Sequence, residues 1–375
     1  MDFSLNETQQ LIQNAAKDYV STSCSRDILL KIDRNPVEIM GKHWKEMSEM
    51  GWTGMAIPEA YGGSGNSMTD VAVLFEELGM GPVPGPLFTS AVLSARILLE
   101  AGSEAQKKAL LPGIAEGKRV FALAMTEARY GWAPENVHMK AKKEGADFVL
   151  SGTKLFVEDA EYATDLLVVA GIEGDQGLSL FHVDVKAKGV AIRPLKGFMV
   201  GMGEIVLDKV KVSGASVIGG AGQAAAPLDR AMLAAVPVLC AYKVGGCKRV
   251  YDMSLAYAGE RKQFNTVIGR FPRVQDHLIY AVNALDSARW TTYEALWKLD
   301  TGMDAAASVH VAKSVASESY MTATDMAHEV HAGIGVLREY GLTLHTKMSR
   351  SLYHTLGSPS LHRKRLESAL ALTPA

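Results

Sequence analysis

Apolar positions along this chain change their period twice. Up to about residue 118 they recur at helical spacing. Leu11, Ile12, Ala15 and Val20 share one face of a first helix that Asn6 or Ser4 can cap. A second helix runs from Val37 to Met50 and stops at Gly51. The glycine-rich loop Pro58-Glu59-Ala60-Tyr61-Gly62-Gly63-Ser64-Gly65 leads to a third, Val71 to Gly79, with Thr69 or Asp70 as its cap. Pro82, Pro84 and Pro86 punctuate the connection after it. Ser103 with Gln106 makes a capping box for a helix running through Leu111.

From about Val120 to Val217 the apolar runs become short and strand-like: Phe121–Met125, Phe148–Leu150, Leu166–Ala170, Leu178–Val183, Val190–Ile192 and Ile205–Val212. Turn residues such as Lys143-Glu144-Gly145-Ala146-Asp147 separate them, which predicts an all-β region of six or more strands. Helical spacing then returns in long segments, Leu228 to Ala258, Arg273 to Leu299 and Asp304 to Ala332, whose extensive apolar faces suit a bundle and subunit contacts. The expected fold is α+β, in three domains. An N-terminal α-helical domain covers 1–118, a middle β-barrel-like domain 119–226, and a C-terminal four-helix-bundle domain 227–375.

Composition changes this picture little. The 375 residues are 48% hydrophobic and 21% charged, and the formal net charge of −2 gives no electrostatic case for nucleic acid or a membrane surface. Cys24, Cys240 and Cys247 are odd in number and form no CxxC pair, which points to buried thiols in a reducing compartment. Met1-Asp2-Phe3-Ser4 lacks a basic, apolar leader pattern, and no uninterrupted apolar run reaches the roughly 18 residues that span a bilayer. The sequence therefore predicts a soluble cytoplasmic protein without membrane insertion.

Familiar chemistries are missing: there is no phosphate loop, HExxH pair or GxSxG elbow. Gly201-Met202-Gly203 lacks the third glycine of a dinucleotide fingerprint. His328 and His331 stand three apart with no further ligand nearby, which favours polar core or interface residues over a metal site. What remains is a set of phrases in one order. Gly51-Trp52, Ile57-Pro58-Glu59 and the glycine loop come first, then Met125-Thr126-Glu127 and Leu150-Ser151-Gly152-Thr153-Lys154-Leu155-Phe156-Val157. Arg261-Lys262-Gln263-Phe264 with Ile268-Gly269-Arg270-Phe271 follows, and then His331-Ala332-Gly333-Ile334-Gly335 with Glu339-Tyr340. Together they resemble the acyl-CoA dehydrogenase superfamily over essentially the whole chain.

The resemblance implies FAD, held in an extended pose and completed by a neighbouring subunit. Met125 and Thr126 would face the flavin's pyrimidine side, and Phe156 would pack on the ring. Arg261 and Gln263 would meet the pyrophosphate and adenosine of a flavin lodged mainly in the next subunit, Glu329 and Gly333 would approach that same distal part, and Phe264 and Phe271 belong to the same cofactor-binding segment as Arg261. An arginine fork suits phosphate and glycine lets backbone approach, while Phe156 and Phe264 also read as plain core aromatics. Leu87, Phe88 and Ser90 would line the acyl pocket, although apolar residues there are equally expected as core. The implied partners are an acyl-CoA substrate, electron-transfer flavoprotein or a similar acceptor, and a homotetramer or a heterotetramer with a paralogous subunit.

The pattern breaks at the base. The family's reaction removes an α-proton to a carboxylate while a hydride leaves the β-carbon for the flavin. That carboxylate is usually a glutamate near the C-terminus, and its place in Tyr353-His354-Thr355-Leu356-Gly357-Ser358 is held by Leu356. A second known location matches Ala234-Ala235-Val236, again without a carboxylate. Glu158 stands where a threonine is common, Pro272 and Glu329 where glutamines are, and the first flavin loop continues Ala128-Arg129-Tyr130-Gly131-Trp132. Three readings follow. Glu158 or His354 serves as a relocated base, Glu158 being equally readable as a loop carboxylate bonded to backbone N–H groups. Alternatively a partner chain supplies the base to a chain that completes flavin sites. In the third, the scaffold runs another reaction, such as desulfination or monooxygenation.

Overall fold

The computed structural model describes residues 4–32, 36–129, 131–197, 199 and 201–370. Met1-Asp2-Phe3 and Tyr130 lie outside the described residues, as does the side chain of Val37. The helical elements before residue 118 are α1 (Glu7–Ser23), α2 (Arg26–Ile32), α3 (Pro36–Glu49), α4 (Met68–Met80), α5 (Ala95–Ala101) and α6 (Glu104–Ala115). Between α4 and α5 lies a wide π-helical turn, Leu87–Ser94. Asn6 caps α1 and Ser103 caps α6, both through capping boxes with the glutamine three residues on. The start of α4 differs from the expected one. Ser67 is the cap, and Asp70 is its return partner at the third helical position, so the helix opens at Met68. Asp70 then turns its other oxygen to Gln9 Nε2 at 2.9 Å.

The strands are β1 (Phe121–Ala124), β2 (Lys140–Glu144), β3 (Asp147–Glu158), β4 (Asp165–Ile172), β5 (Ser179–Asp184), β6 (Val190–Leu195), β7 (Met202–Val212) and β8 (Val217–Ile218). They form one sheet in the order β6-β7-β3-β2-β4-β5-β8, with β1 pairing parallel to β4. Every residue of β4 is buried, which is why its run reads as continuously apolar rather than alternating. Two strands of the sheet are absent from the sequence expectation, the two-residue β8 and the longer β2. Ala141 is the only buried residue of β2, so backbone bonds to β3 and β4 hold it rather than an apolar face. Its hairpin to β3 turns on Gly145 at φ 65° with Ala146, a tighter turn than the five-residue one expected. The β core gathers Ala141, Phe148, Leu150, Val157, Leu166, Phe181 and Leu207.

The remaining elements are α7 (Ala225–Glu260), the hairpin β9 (Lys262–Gln263) with β10 (Thr266–Val267), α8 (Pro272–Asp300), α9 (Ala306–His331), α10 (Leu342–Tyr353) and α11 (Pro359–Ala369). Thus α10 and α11 join the three long helices that periodicity announced. Among the described residues α7 is the one helix long and apolar enough to cross a membrane, and most of that stretch is buried. The three cysteines are free and buried. The chain divides into two compact units. One comprises Met1–Asn35, Ser67–Val83 and Val236–Ala375, the other Pro36–Asn66 and Pro84–Ala235.

Within the first unit, α4 and α7 touch backbone to backbone. A Cβ on Gly79 would stand 1.9 Å from the Tyr242 carbonyl oxygen, and one on Gly245 would stand 1.8 Å from that of Glu76. Backbone atoms of two packed helices have nowhere to retreat. Gly245→Ala is therefore expected to cost about 3 kcal/mol, the upper end of ordinary overpacking. A shift of the urea midpoint at unchanged slope checks this.

Candidate active site

Left-handed backbone occurs twice near the end of strand β3, at Phe156 within it and at Asp159 just after it. Lys154 pairs with Ile205 and Val157 with Gly203 on β7, so Leu155 and Phe156 together oppose one residue and form a bulge. Phe156 pays for it with φ 57°, a conformation that costs an L-residue about 1–2 kcal/mol. The bulge lets Val157 reach the core at 1% exposure while the Phe156 ring stays 39% exposed. Strain at a side chain kept out of the core is the kind of outlier that marks a functional position. The structure brings both predicted flavin loops together here. The Leu155 N–H donates to the Thr126 carbonyl at 2.9 Å, and the Thr126 hydroxyl donates back to the Leu155 carbonyl. Met125 and Thr126 are both buried.

A buried ion pair underlies the first loop. Lys154, with 0% exposure, donates from Nζ to Glu127 Oε1 at 2.7 Å and to the Met125 carbonyl at 3.2 Å. The Glu127 carboxylate also accepts the backbone N–H groups of His138 and Met139, each at 3.0 Å. Sequence reasoning passed over Lys154, although a lysine on the inward register of an apolar strand is a legible sign of a buried partner.

At the end of β3, Glu158 is buried, and so is Asp159, which the sequence reading did not single out. Asp159 has φ 54°, a conformation that Asp tolerates better than most residues. Its N–H donates to the Gly201 carbonyl at 2.8 Å, and Oδ2 lies 2.8 Å from the Thr89 hydroxyl. Burial pushes its carboxyl from an ordinary 3.8 to about 7; the Thr89 bond opposes that rise and the neighbouring Glu158 adds to it. Thr89 belongs to the turn Leu87–Ser94, on which Leu87, Phe88 and Ser90 are all buried. The Ser90 hydroxyl oxygen accepts the Phe121 N–H at 3.0 Å, fixing this turn to β1.

The other predicted residues belong to the other unit. Arg261, Gln263 and Phe264 sit exposed on the β9–β10 hairpin, with Phe264 89% exposed and in edge contact with Phe271 at 6.1 Å. Val330 of α9 packs with Ala258 and Ile268, which places the end of α9, with exposed Glu329 and Gly333, beside the hairpin. A Cβ on Gly333 would meet nothing within 4 Å. His328 bonds Thr346 at 2.7 Å and His331 the Ala327 carbonyl at 2.7 Å, with no metal-holding cluster among the described residues.

His354 is exposed, and partial burial, Lys313 and Lys243 lower its pKa in that order. The leucine two residues on is buried at φ 57° in a clamped loop. Lys313 Nζ donates to the Tyr353 and Gly357 carbonyls at 3.2 and 2.8 Å, and His362 Nε2 donates to the Leu356 carbonyl at 2.9 Å. Burial holds the His362 imidazole down to about 3, so it is neutral. Its Nδ1 must then accept, and His310 Nδ1–H donates to it at 3.1 Å.

Residues 6–118, 122–210 and 230–371 match, in turn, the N-terminal, middle and C-terminal domains of acyl-CoA dehydrogenases. The probable acyl-CoA dehydrogenase YngJ of Bacillus subtilis (strain 168) is 30% identical over 356 residues, which cover 91% of this chain and 92% of that protein. The chain belongs to the acyl-CoA dehydrogenase family. It is also 27% identical to the caffeyl-CoA reductase–Etf complex subunit CarC of Acetobacterium woodii, across 89% of this chain and 90% of that one. The solved structure of PigA with FAD and proline superposes with a TM-score of 0.92 at 25% identity, covering 99% of this chain and all of that one. As a family member the chain is a flavin oxidoreductase with FAD as cofactor. The residues present fit that group. A strained bulge holds an aromatic ring out of the core, an arginine stands exposed, and the space over Gly333 is open to backbone approach.

Proposed function

We propose that this acyl-CoA dehydrogenase desaturates an acyl-CoA thioester between its α and β carbons, with Glu158 as the group that takes the α-proton. The observation that carries this reading is the pair of buried carboxyls, Glu158 and Asp159, at the strained end of β3 beside the turn Leu87–Ser94. Adjacent carboxyls in a dry site separate into one that keeps its proton and one that can receive one. Asp159 is the one that keeps it near neutrality. Bound FAD supplies the hydride acceptor. Phe156 orients against it, Met125 and Thr126 shape its loop, and Leu87, Phe88 and Ser90 wall the acyl group. Arg261, Gln263, Phe264, Phe271, Glu329 and Gly333 serve the distal part of a flavin held mainly by a neighbouring subunit in a tetramer. Electrons leave to electron-transfer flavoprotein, the partner type that the CarC relative's name carries.

A second reading rests on the buried, clamped Leu356: a paralogous chain supplies the base, and this one completes its flavin sites. One experiment separates the two. The chain purified alone is mixed anaerobically with a panel of acyl-CoA thioesters, including alicyclic and dicarboxylic ones, and its visible spectrum is followed. A yellow protein bleached by at least one thioester supports Glu158 chemistry in this chain. A colourless protein that turns yellow only with a second acyl-CoA dehydrogenase chain supports the heteromer.

A further inference from the structure

The Thr89 hydroxyl has a single proton and two neighbours that accept it. Its Oγ1 lies 2.8 Å from Asp159 Oδ2 and 3.3 Å from the Pro86 carbonyl oxygen. Only one arrangement of protons uses both contacts: Asp159 Oδ2–H donates to Thr89 Oγ1, and Thr89 O–H donates to Pro86. An ionised Asp159 would reverse the first bond and abandon the second. Asp159 Oδ1 decides between them. It is buried without a hydrogen-bond partner in a residue only 3% exposed. A neutral carbonyl oxygen tolerates that position far better than half of a carboxylate charge does.

The surroundings agree. Glu158 precedes Asp159, and Glu161 and Tyr162 lie on the turn that follows, all of them groups that are neutral or negative. Gly201, whose carbonyl takes the Asp159 N–H, stands against Glu161 and Tyr162 as well. Among the described residues no cation pairs with Asp159. Helix α3 and strands β6 and β7 pack against the turn Ala160–Tyr162, and on them Lys42 pairs with Glu46, Lys45 with Glu49 and Arg193 with Glu204; among the described residues Thr89 is the side chain that bonds Asp159.

We propose that Asp159 is held as a neutral carboxylic acid and, through Thr89, positions the turn Leu87–Ser94 so that the acyl substrate is bound tightly only while that acid keeps its proton. This rests on the assignment of that turn as the acyl wall. Pro86 is the residue whose carbonyl starts the turn, accepting the Ser90 N–H at 2.9 Å, and Ser90 in turn is fixed to β1. Loss of the proton draws the Thr89 hydroxyl toward a buried carboxylate and away from Pro86. Asp159 is thus a positioning residue, distinct from the proton acceptor Glu158.

The sign follows from the carboxyl's position at about 7 against an ordinary 3.8. Between those values the folded protein binds a proton that the unfolded chain does not, so this group's contribution to stability falls as pH rises through the window. The tests use the FAD-loaded protein, with Asp159→Asn as the main variant, since asparagine tolerates the same backbone. Infrared spectra at pH 6 should show the carbonyl stretch of a protonated carboxyl that disappears in D159N. The unfolding midpoint of the wild type should fall relative to that of D159N as pH rises from 4 to 8. KM for an acyl-CoA that reduces the flavin should rise up to about tenfold per pH unit above neutrality in the wild type, with kcat steady, and stay flat in D159N.

Thr89→Val is the second variant. It removes the hydroxyl and should keep the carboxyl band while raising KM at every pH. Identical infrared spectra and parallel stability curves for wild type and D159N would overturn the proposal. The first two readouts need no turnover, so they stand even where no tested thioester reduces the flavin. A carboxyl band with a pH-independent KM retains the neutral acid and overturns its positioning role.

Discussion

Glu158→Gln is expected to slow acyl-CoA-dependent bleaching of the flavin by about 10²–10⁴-fold, the usual worth of a positioned proton acceptor. In barrier height that is about 3–5.5 kcal/mol. The amide keeps the shape of the side chain and its capacity to hydrogen-bond but takes no proton. FAD content and the unfolding midpoint should therefore stay close to the wild type, which separates lost chemistry from lost structure. His354 is the rival. Its ring is exposed, and Lys313 and Lys243 join partial burial in favouring the neutral form, which does accept protons. His354→Gln is expected to change the rate less than threefold, because Lys313 and His362 hold the clamped loop that carries it. An undiminished rate in E158Q would eliminate Glu158. A collapse in H354Q would then move the base to the C-terminal loop, and two active variants would move it to another chain.

Local chemistry explains which parts of this molecule were legible in the sequence. The long helices α7, α8 and α9 announced themselves through period, and β4 through an unbroken apolar run. Strand β2 did not, because a strand held by its backbone ladder leaves no apolar signature in Lys140, Lys142 and Lys143. The cap of α4 was placed two or three residues late, at Thr69 or Asp70, since Ser67, Thr69 and Asp70 all have capping side chains and only the fold selects Ser67. The two loops assigned to the flavin were legible as phrases that the structure bonds to each other, yet the strain at Phe156 and the bonds between Thr126 and Leu155 belong to the register of β3 on β7. Asp159 shows the same limit at the site. As a residue it is an ordinary aspartate after a glutamate. Its proton affinity comes from burial in the folded unit, which no neighbour in sequence announces, and its one side-chain contact among the described residues, Thr89, lies 70 positions earlier in the chain.

Glu127→Gln is expected to be the most destabilising single change near the flavin loops, at about 3–5 kcal/mol. The carboxylate is worth more than its partner because of what each leaves behind. Without it, the fully buried Lys154 ammonium keeps only neutral acceptors, the Met125 carbonyl at 3.2 Å and an amide oxygen in place of a carboxylate. Without Lys154, Glu127 still accepts two backbone N–H groups and touches solvent. Lys154→Met should therefore cost less than E127Q. Adding K154M to E127Q should recover most of the loss, since an apolar chain removes the uncompensated charge. The pH dependence carries the same signature. Burial works to raise the Glu127 carboxyl, but the Lys154 bond and the N–H groups of Met139 and His138 outweigh it and hold it below its ordinary 4.5. Its contribution is thus complete above that value and is lost as pH falls through the folded titration, so E127Q should flatten the acid limb of the stability curve. Because Lys154 also holds the Met125 carbonyl, FAD affinity should fall with stability in E127Q. Urea unfolding at pH 4 and pH 7, with FAD titration of the same samples, measures both, and an E127Q protein as stable as K154M would contradict the asymmetry.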